Sequence, residues 1–150
     1  QCDISKEPLP FADESFDVVY HKSLIEHLYD PGNLMTETHR VLRKGGQVII
    51  LTPDWVSQMR NFYEDITHCR PYDATALQDT LSMFGFTDTV VERFNQLPVL
   101  WKVKPLKLVA GMARLLLNVH AARYLTSKTN IKFFRWSVEL MVLGYGAKHG

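Results

Sequence analysis

Three stretches of the chain carry side chains able to do acid–base or binding chemistry. His21 follows the apolar run Phe16–Tyr20 and precedes Lys22. Its near-neutral titration suits a general base, the plain counterpart being a packed turn histidine. Glu26 and His27 are adjacent. Such a pair beside a cleft invites a metal, but HExxH spacing is absent and no second ligand pair is visible. No metal is therefore expected, and Glu26 and His27 read as structural or cleft-lining residues, candidates for substrate contact. Thr67-His68-Cys69-Arg70-Pro71-Tyr72 concentrates polar groups in one loop. Binding residues gather on loops, so His68 and Arg70 are candidates for substrate contact, with His68 also able to move a proton. Cys69 stands next to His68, but nothing in the sequence orients the pair for nucleophilic attack. His39 and Arg40 fall within a helical pattern and read as structural or solvated.

The elements that position these groups centre on Ser15–Asp54. Phe16–Tyr20 is long enough for a buried parallel strand and too short for a helix. Pro31–Arg43 repeats apolar residues at the spacing of one helix face, with Asp30 as expected N-cap and Pro31 at the first helical position. Arg40, Arg43 and Lys44 collect where a helix dipole favours cations, and Gly45-Gly46 is expected to stop the helix. Gln47–Leu51 opens a second apolar run, closed by Thr52-Pro53. Strand, helix and strand make a right-handed βαβ unit. Tyr20, His21 and Lys22 then lie just past a strand's C-terminal end, where open α/β sheets bind their ligands.

Around this unit, Gln1–Glu14 is a loop whose Cys2-Asp3-Ile4 resembles the end of a strand. Trp55–Tyr63 is a short helix capped by Asp54, and Asp65–Tyr72 is a polar loop. Asp73 caps a helix over Ala74–Phe84 that ends at Gly85. Thr87–Phe94 and Glu139–Tyr145 are strands by length and β-branched content. Between them, 97–136 holds eight Lys and Arg and no Asp or Glu, so this segment carries +8 in a chain whose net charge is +1. Within it Lys104, Lys107, Gly111, Arg114 and Asn118 form one polar stripe on an otherwise apolar helix.

The totals bound the classes. The chain of 150 residues, 46% hydrophobic and 22% charged, suits one globular domain rather than a disordered segment. Two cysteines are too few for a disulfide framework, and a reducing, cytoplasmic setting is expected. The start has no signal-peptide pattern, and no run approaches the roughly 18 apolar residues of a spanning helix.

The order of signals resembles the C-terminal half or more of a class I S-adenosylmethionine-dependent methyltransferase of the small type. The resemblance rests on Leu9-Pro10-Phe11 with Asp13, Ser15-Phe16-Asp17-Val18-Val19, Glu26-His27-Leu28, Asp30-Pro31, Glu37, Arg40-Val41-Leu42 and Gly45-Gly46. It covers Asp3 to about Phe94 and resumes near Glu139. It implies an α/β fold: a partial Rossmann-like sheet of the C-terminal strands, the last one antiparallel, with flanking helices and a helical insert at about 97–136 before the last strand. The whole of 1–150 is then a single partial domain. The resemblance further implies S-adenosylmethionine as cofactor, with Asp3 accepting from the adenine amino group, Ile4 beside the ring, and Tyr20, His21 and Lys22 lining the methyl-transfer site. The family's glycine-rich turn and ribose-binding carboxylate have no counterpart here, so the chain reads as truncated. The strand at Phe16–Tyr20 is then left with an open, apolar edge.

Methyl transfer to a small-molecule, lipid-linked or glycan-linked acceptor is the function this implies. Its alternative is a non-catalytic Rossmann-like module that self-associates, as a homodimer, through the open edge. Half of a nucleotide-binding oxidoreductase domain is a third reading without positive support. For the basic insert an extra packing layer or dimer interface, a cap over the acceptor site, and a peripheral contact with acidic lipid stay open. No nucleic acid is expected, since aromatics are not interleaved with the basic residues.

Overall fold

The computed structural model describes residues 2–103 and 105–150. Strand β1 (Phe16–Lys22) leads through a 3-10 turn (Ile25–His27) to helix α1 (Gly32–Val41) and strand β2 (Leu42–Pro53). The one-turn helix α2 (Trp55–Gln58), a second 3-10 turn (Phe62–Glu64), α3 (Ala74–Met83) and β3 (Phe86–Phe94) follow. Four helices, α4 (Pro98–Lys102), α5 (Pro105–Leu116), α6 (Val119–Thr129) and α7 (Phe133–Val138), precede the last strand β4 (Met141–Lys148). The four strands form one sheet in the order β1-β2-β4-β3. β1 and β2 are parallel, while β4 runs antiparallel to both β2 and β3. The expected partial Rossmann-like sheet, antiparallel last strand and helical insert are all present.

Local chemistry accounts for most boundaries. Asp54 and Asp73 are true N-caps, accepting from Ser57 N at 3.0 Å and Ala76 N at 2.8 Å. Gly85 ends α3 with φ +82°, the left-handed conformation a side chain resists. Two expectations need correction. Helix α1 begins at Gly32 with Pro31 at the N-cap position, its carbonyl accepting the first helical bond from Met35 N at 2.9 Å, while Asp30 Oδ1, one residue earlier, accepts from Gly32 N at 2.8 Å. And Gly45-Gly46 does not stop α1, which already ends at Val41. The pair instead lies in an irregularity of β2, where the pairing steps from Phe16–Leu42 to Val18–Gln47. Gly45 has φ +75°, and a Cβ on Gly46 would stand 2.8 Å from the Arg43 carbonyl.

The main core lies on one face of the sheet. Leu34 and Met35 of α1 and Leu77 and Leu81 of α3 pack on Val48, Ile50 and Val142. Gly144 allows that approach, since a Cβ there would sit 2.8 Å from Leu77 Cδ2. On the other face Val18 and Tyr20 of the edge strand β1 remain 51% and 55% exposed, joined by Val90 and Tyr145. The N-terminal loop is tied to α1 by Arg40. Its guanidinium bonds Glu37, Asp13 and the carbonyls of Leu9 and Phe11, while Leu9 N donates to Glu37 at 2.7 Å. Motif residues nearly 30 positions apart thus form one network, and the structural reading of Arg40 holds.

The insert has small cores of its own, one around Leu97, Leu100 and Ala110, another around Val119, Ala122 and Val138. Lys104 of the expected polar stripe lies outside the described residues. The rest of the stripe does not simply face solvent: Arg114 is half-buried and donates to the Ser137 carbonyl at 3.0 Å. The apolar residues Leu115 and Leu116 are instead 87% and 83% exposed, and in α5 only Ala110 is buried. Among the described residues no helix is long and apolar enough to cross a membrane.

Candidate functional site

A cavity of about 730 Å³ opens at the C-terminal ends of β1 and β2, where antiparallel β4 begins. The 3-10 turn after β1 contributes Glu26 and His27, and the loop after the second 3-10 turn contributes Asp65 and His68. The opposite wall comes from the insert and its exit: Arg123 of α6, Arg135 and Trp136 of α7, and Glu139. Two backbone bonds, from Cys69 N and Arg70 N to the Glu26 carbonyl at 2.8 and 3.1 Å, lock the first two loops together.

Each histidine on this wall is oriented by its neighbours. His68 Nδ1 lies 2.7 Å from the Phe62 carbonyl, which only accepts, so Nδ1 carries the proton and Nε2 offers a lone pair. The Thr67 hydroxyl donates to Asp65 Oδ1 at 2.6 Å, leaving its oxygen to accept from His27 Nδ1 at 2.9 Å. The Thr67 carbonyl, 3.2 Å from the same nitrogen, enforces that tautomer. His27 Nε2 is therefore also a lone-pair site. The Thr67 hydrogen bonds hold the Asp65 carboxyl below the ordinary aspartate range. Glu26 is completely buried: Oε2 accepts from Thr52 Oγ1 at 2.9 Å, while Oε1 has no hydrogen-bond partner among the described residues. Across the cavity Glu139 accepts from Arg123 and Arg135, and Arg123 reaches on to Glu64.

Of the residues singled out in the sequence, the fold brings Glu26, His27 and His68 together. It separates the others. His21 turns away from the crevice into the core, 6% exposed, with Nε2 2.8 Å from Thr38 Oγ1. Burial pushes its pKa down to about 4, so it is a neutral packing residue at physiological pH, contrary to the expected crevice-facing base. Tyr20 and Lys22 are exposed and do not line the cavity. Arg70 points outward, its guanidinium near the Tyr29 carbonyl and over the Tyr72 ring, and likewise does not line it. Asp3 is exposed and holds Ser5 N and Oγ on Oδ1, which keeps its carboxyl below the ordinary range. Ile4 packs at the edge of the main core.

The cavity also uses residues that sequence reasoning passed over. Ser23, on its lip, has φ +49°, a strained conformation for a non-glycine residue. Arg123, Arg135, Trp136 and Glu139 carry no local motif, and the only hint, of the two arginines alone, was the charge imbalance of 97–136.

Residues 1–50 match the methyltransferase domain family. A Mycolicibacterium smegmatis protein described as a probable S-adenosylmethionine-dependent methyltransferase is 38% identical over 80 residues, which cover 52% of this chain and 31% of that protein. The Coxiella burnetii malonyl-[acyl-carrier protein] O-methyltransferase 1 is 33% identical over 88 residues, covering 56% of this chain and 31% of the relative. The matched segments thus span about a third of these curated relatives. Among solved structures, Haemonchus contortus phosphoethanolamine N-methyltransferase 2 bound to S-adenosyl-L-methionine superposes with a TM-score of 0.57 at 18% identity, over 93% of this chain and 35% of that one. That likeness concerns the fold, and the strand order and directions described above agree with it. By matched sequence, residues 1–50 are similar to the methyltransferase domain family, and by topology the chain shares the fold of solved S-adenosylmethionine-dependent methyltransferases.

Proposed function

We propose that this chain forms the acceptor-side part of an S-adenosylmethionine-dependent methyltransferase, and that the cavity roofed by α6 and α7 receives the acceptor. The observation that carries this reading is the position of the cavity. It opens at the C-terminal ends of the parallel strands, where α/β sheets bind ligands, and the insert closes its far wall. The cap reading of the insert is thereby favoured over a mere packing layer. The cofactor would supply a methyl group on an activated sulfonium, so the protein's main task is to hold acceptor and donor in line and exclude water. Asp3 fits its adenine-binding role, since both bonds it accepts fall on one oxygen and its carboxyl is held ionised. His27 and His68, rather than His21, present lone pairs suited to take a proton from an O–H or N–H acceptor whenever no cation occupies them.

Four carboxylates and two guanidiniums line the cavity, which suits a polar small molecule or the polar end of a lipid- or glycan-linked one. The Coxiella relative is named for an acyl-carrier-linked acid and the Haemonchus structure for a phosphoethanolamine, both of that general kind. The exposed leucines of α5, beside a run of lysines without acids, support a peripheral contact with acidic lipid. The unpaired edge of β1 supports the alternative of a self-associating module.

Calorimetric titration with S-adenosylhomocysteine tests the reading on this chain, its Asp3→Ala variant and the full-length product of its gene. Micromolar binding by the full-length protein, weakened by Asp3→Ala, is expected. Binding by none of them, with a concentration-dependent dimer in sedimentation, would put the self-associating module in its place.

A further inference from the structure

We propose that Glu26, His27 and His68 form a binding site for one divalent transition-metal ion on the wall of the cavity. Each offers one ligand atom, and these atoms all lie within 4.8 Å of one another, close enough for one ion to bridge after small side-chain adjustments. Two independent features point to a ligand. The first is the orientation of both imidazoles. Each has its Nδ1 proton committed to a backbone carbonyl or hydroxyl behind it, which leaves Nε2 as a lone pair, the arrangement found behind metal-bound histidines. The second is Glu26, wholly buried, with Thr52 on one oxygen and no partner among the described residues on the other. A buried carboxylate oxygen without a donor is costly, and a cation removes that cost.

A simpler account would pair a charged His68 with Asp65. The separation between His68 Nε2 and Asp65 Oδ2 is 3.8 Å, too long for a hydrogen bond, and the other Asp65 oxygen is taken by Thr67. Asp65 acts better as nearby negative charge and as the anchor of Thr67. Two imidazole nitrogens and one carboxylate oxygen suit Zn²⁺, Fe²⁺ or Co²⁺ rather than Mg²⁺ or Ca²⁺, which prefer all-oxygen shells. Three protein ligands leave coordination positions free, and the cavity gives a water or an acceptor oxygen access to them. The sequence pattern hid the site because its ligands come from two turns about 40 positions apart, joined by the backbone bonds to the Glu26 carbonyl and by the contacts of His27 with Thr67.

The test is a Co²⁺ titration of the chelator-treated chain, read by visible absorption without any cofactor and followed by displacement with Zn²⁺ and with Mg²⁺. One saturable equivalent is expected, displaced by Zn²⁺ but not by Mg²⁺. His68→Asn and Glu26→Gln should each weaken binding more than about tenfold, and Thr67→Val about tenfold through loss of the support behind His27. Circular dichroism checks that each variant is folded. Glu26→Gln preserves shape in the buried position, and His68 lies on a loop, so either variant is informative alone. Absence of saturable Co²⁺ binding, or binding unchanged in the folded variants, overturns the proposal. Since no cofactor enters the assay, its result is independent of the S-adenosylhomocysteine titration.

Discussion

Acidification should withdraw stability through His21, by an amount the structure allows to be worked out. The ring is 6% exposed, bonded to Thr38, and its pKa falls from 6.5 to about 4 because burial disfavours the imidazolium. A histidine whose pKa is depressed by folding contributes stability that is present above the unfolded value and is lost as pH drops toward the folded one. Between those limits the unfolded chain binds a proton that the folded chain refuses, so unfolding gains with each step of acidification. At about 1.4 kcal/mol per pH unit, a gap of roughly 2.5 units corresponds to about 3 kcal/mol in full. Urea unfolding of the wild type and of His21→Gln at about pH 7.5 and about pH 4.5 isolates the effect, because other titrating groups act on both proteins alike. The wild type should lose about 2–3 kcal/mol more than the variant over that interval. Parallel losses, within about 0.5 kcal/mol of each other, would show that the ring is hydrated and would refute the assignment of His21 to the core.

Glycine substitutions should separate close packing from open space. Gly144→Ala places a methyl 2.8 Å from Leu77 Cδ2 and 3.3 Å from Leu81 Cδ1, so a loss of about 1–3 kcal/mol in chemical denaturation is expected. Gly111→Ala, in α5 with nothing within 4 Å of its new Cβ, should be neutral or stabilise by up to about 1 kcal/mol through helix propensity. Equal effects at the two sites would contradict the packing of α3 on β4. Asp73→Ala removes the cap on α3 and should cost about 1 kcal/mol in the same assay, with Asp73→Asn close to wild type.

The βαβ unit and the capped helix α3 were legible in the chain because each rests on local signals, while the antiparallel direction of the last strand followed from the resemblance. Apolar runs of strand length, side-chain caps at Asp54 and Asp73, and Gly85 after the last turn act within a few residues of where they stand. The misreadings came where two local signals compete or a distant partner decides. Gly45-Gly46 looks like a helix stop, yet its place is set by pairing with β1, which needs a bulge there. Arg114 looks like part of a solvated stripe, yet the Ser137 carbonyl holds it inward while neighbouring leucines stay exposed.

The candidate site divides the same way. Residue types alone marked Glu26, His27 and His68 as chemically able, and the polar loop around His68 as a binding segment. Whether a side chain at a strand's end faces crevice or core depends on the pleat and on what packs behind it. That decided against His21, whose face of β1 is covered by α1, and no spacing rule reveals it. Tautomers fixed by carbonyls, a carboxylate oxygen left without a donor, and a wall supplied from α6 and α7 exist only once the chain has folded. Sequence determines which groups can react, through their chemistry and local backbone preferences; tertiary structure decides which of them meet, because proximity between distant segments is set by packing alone.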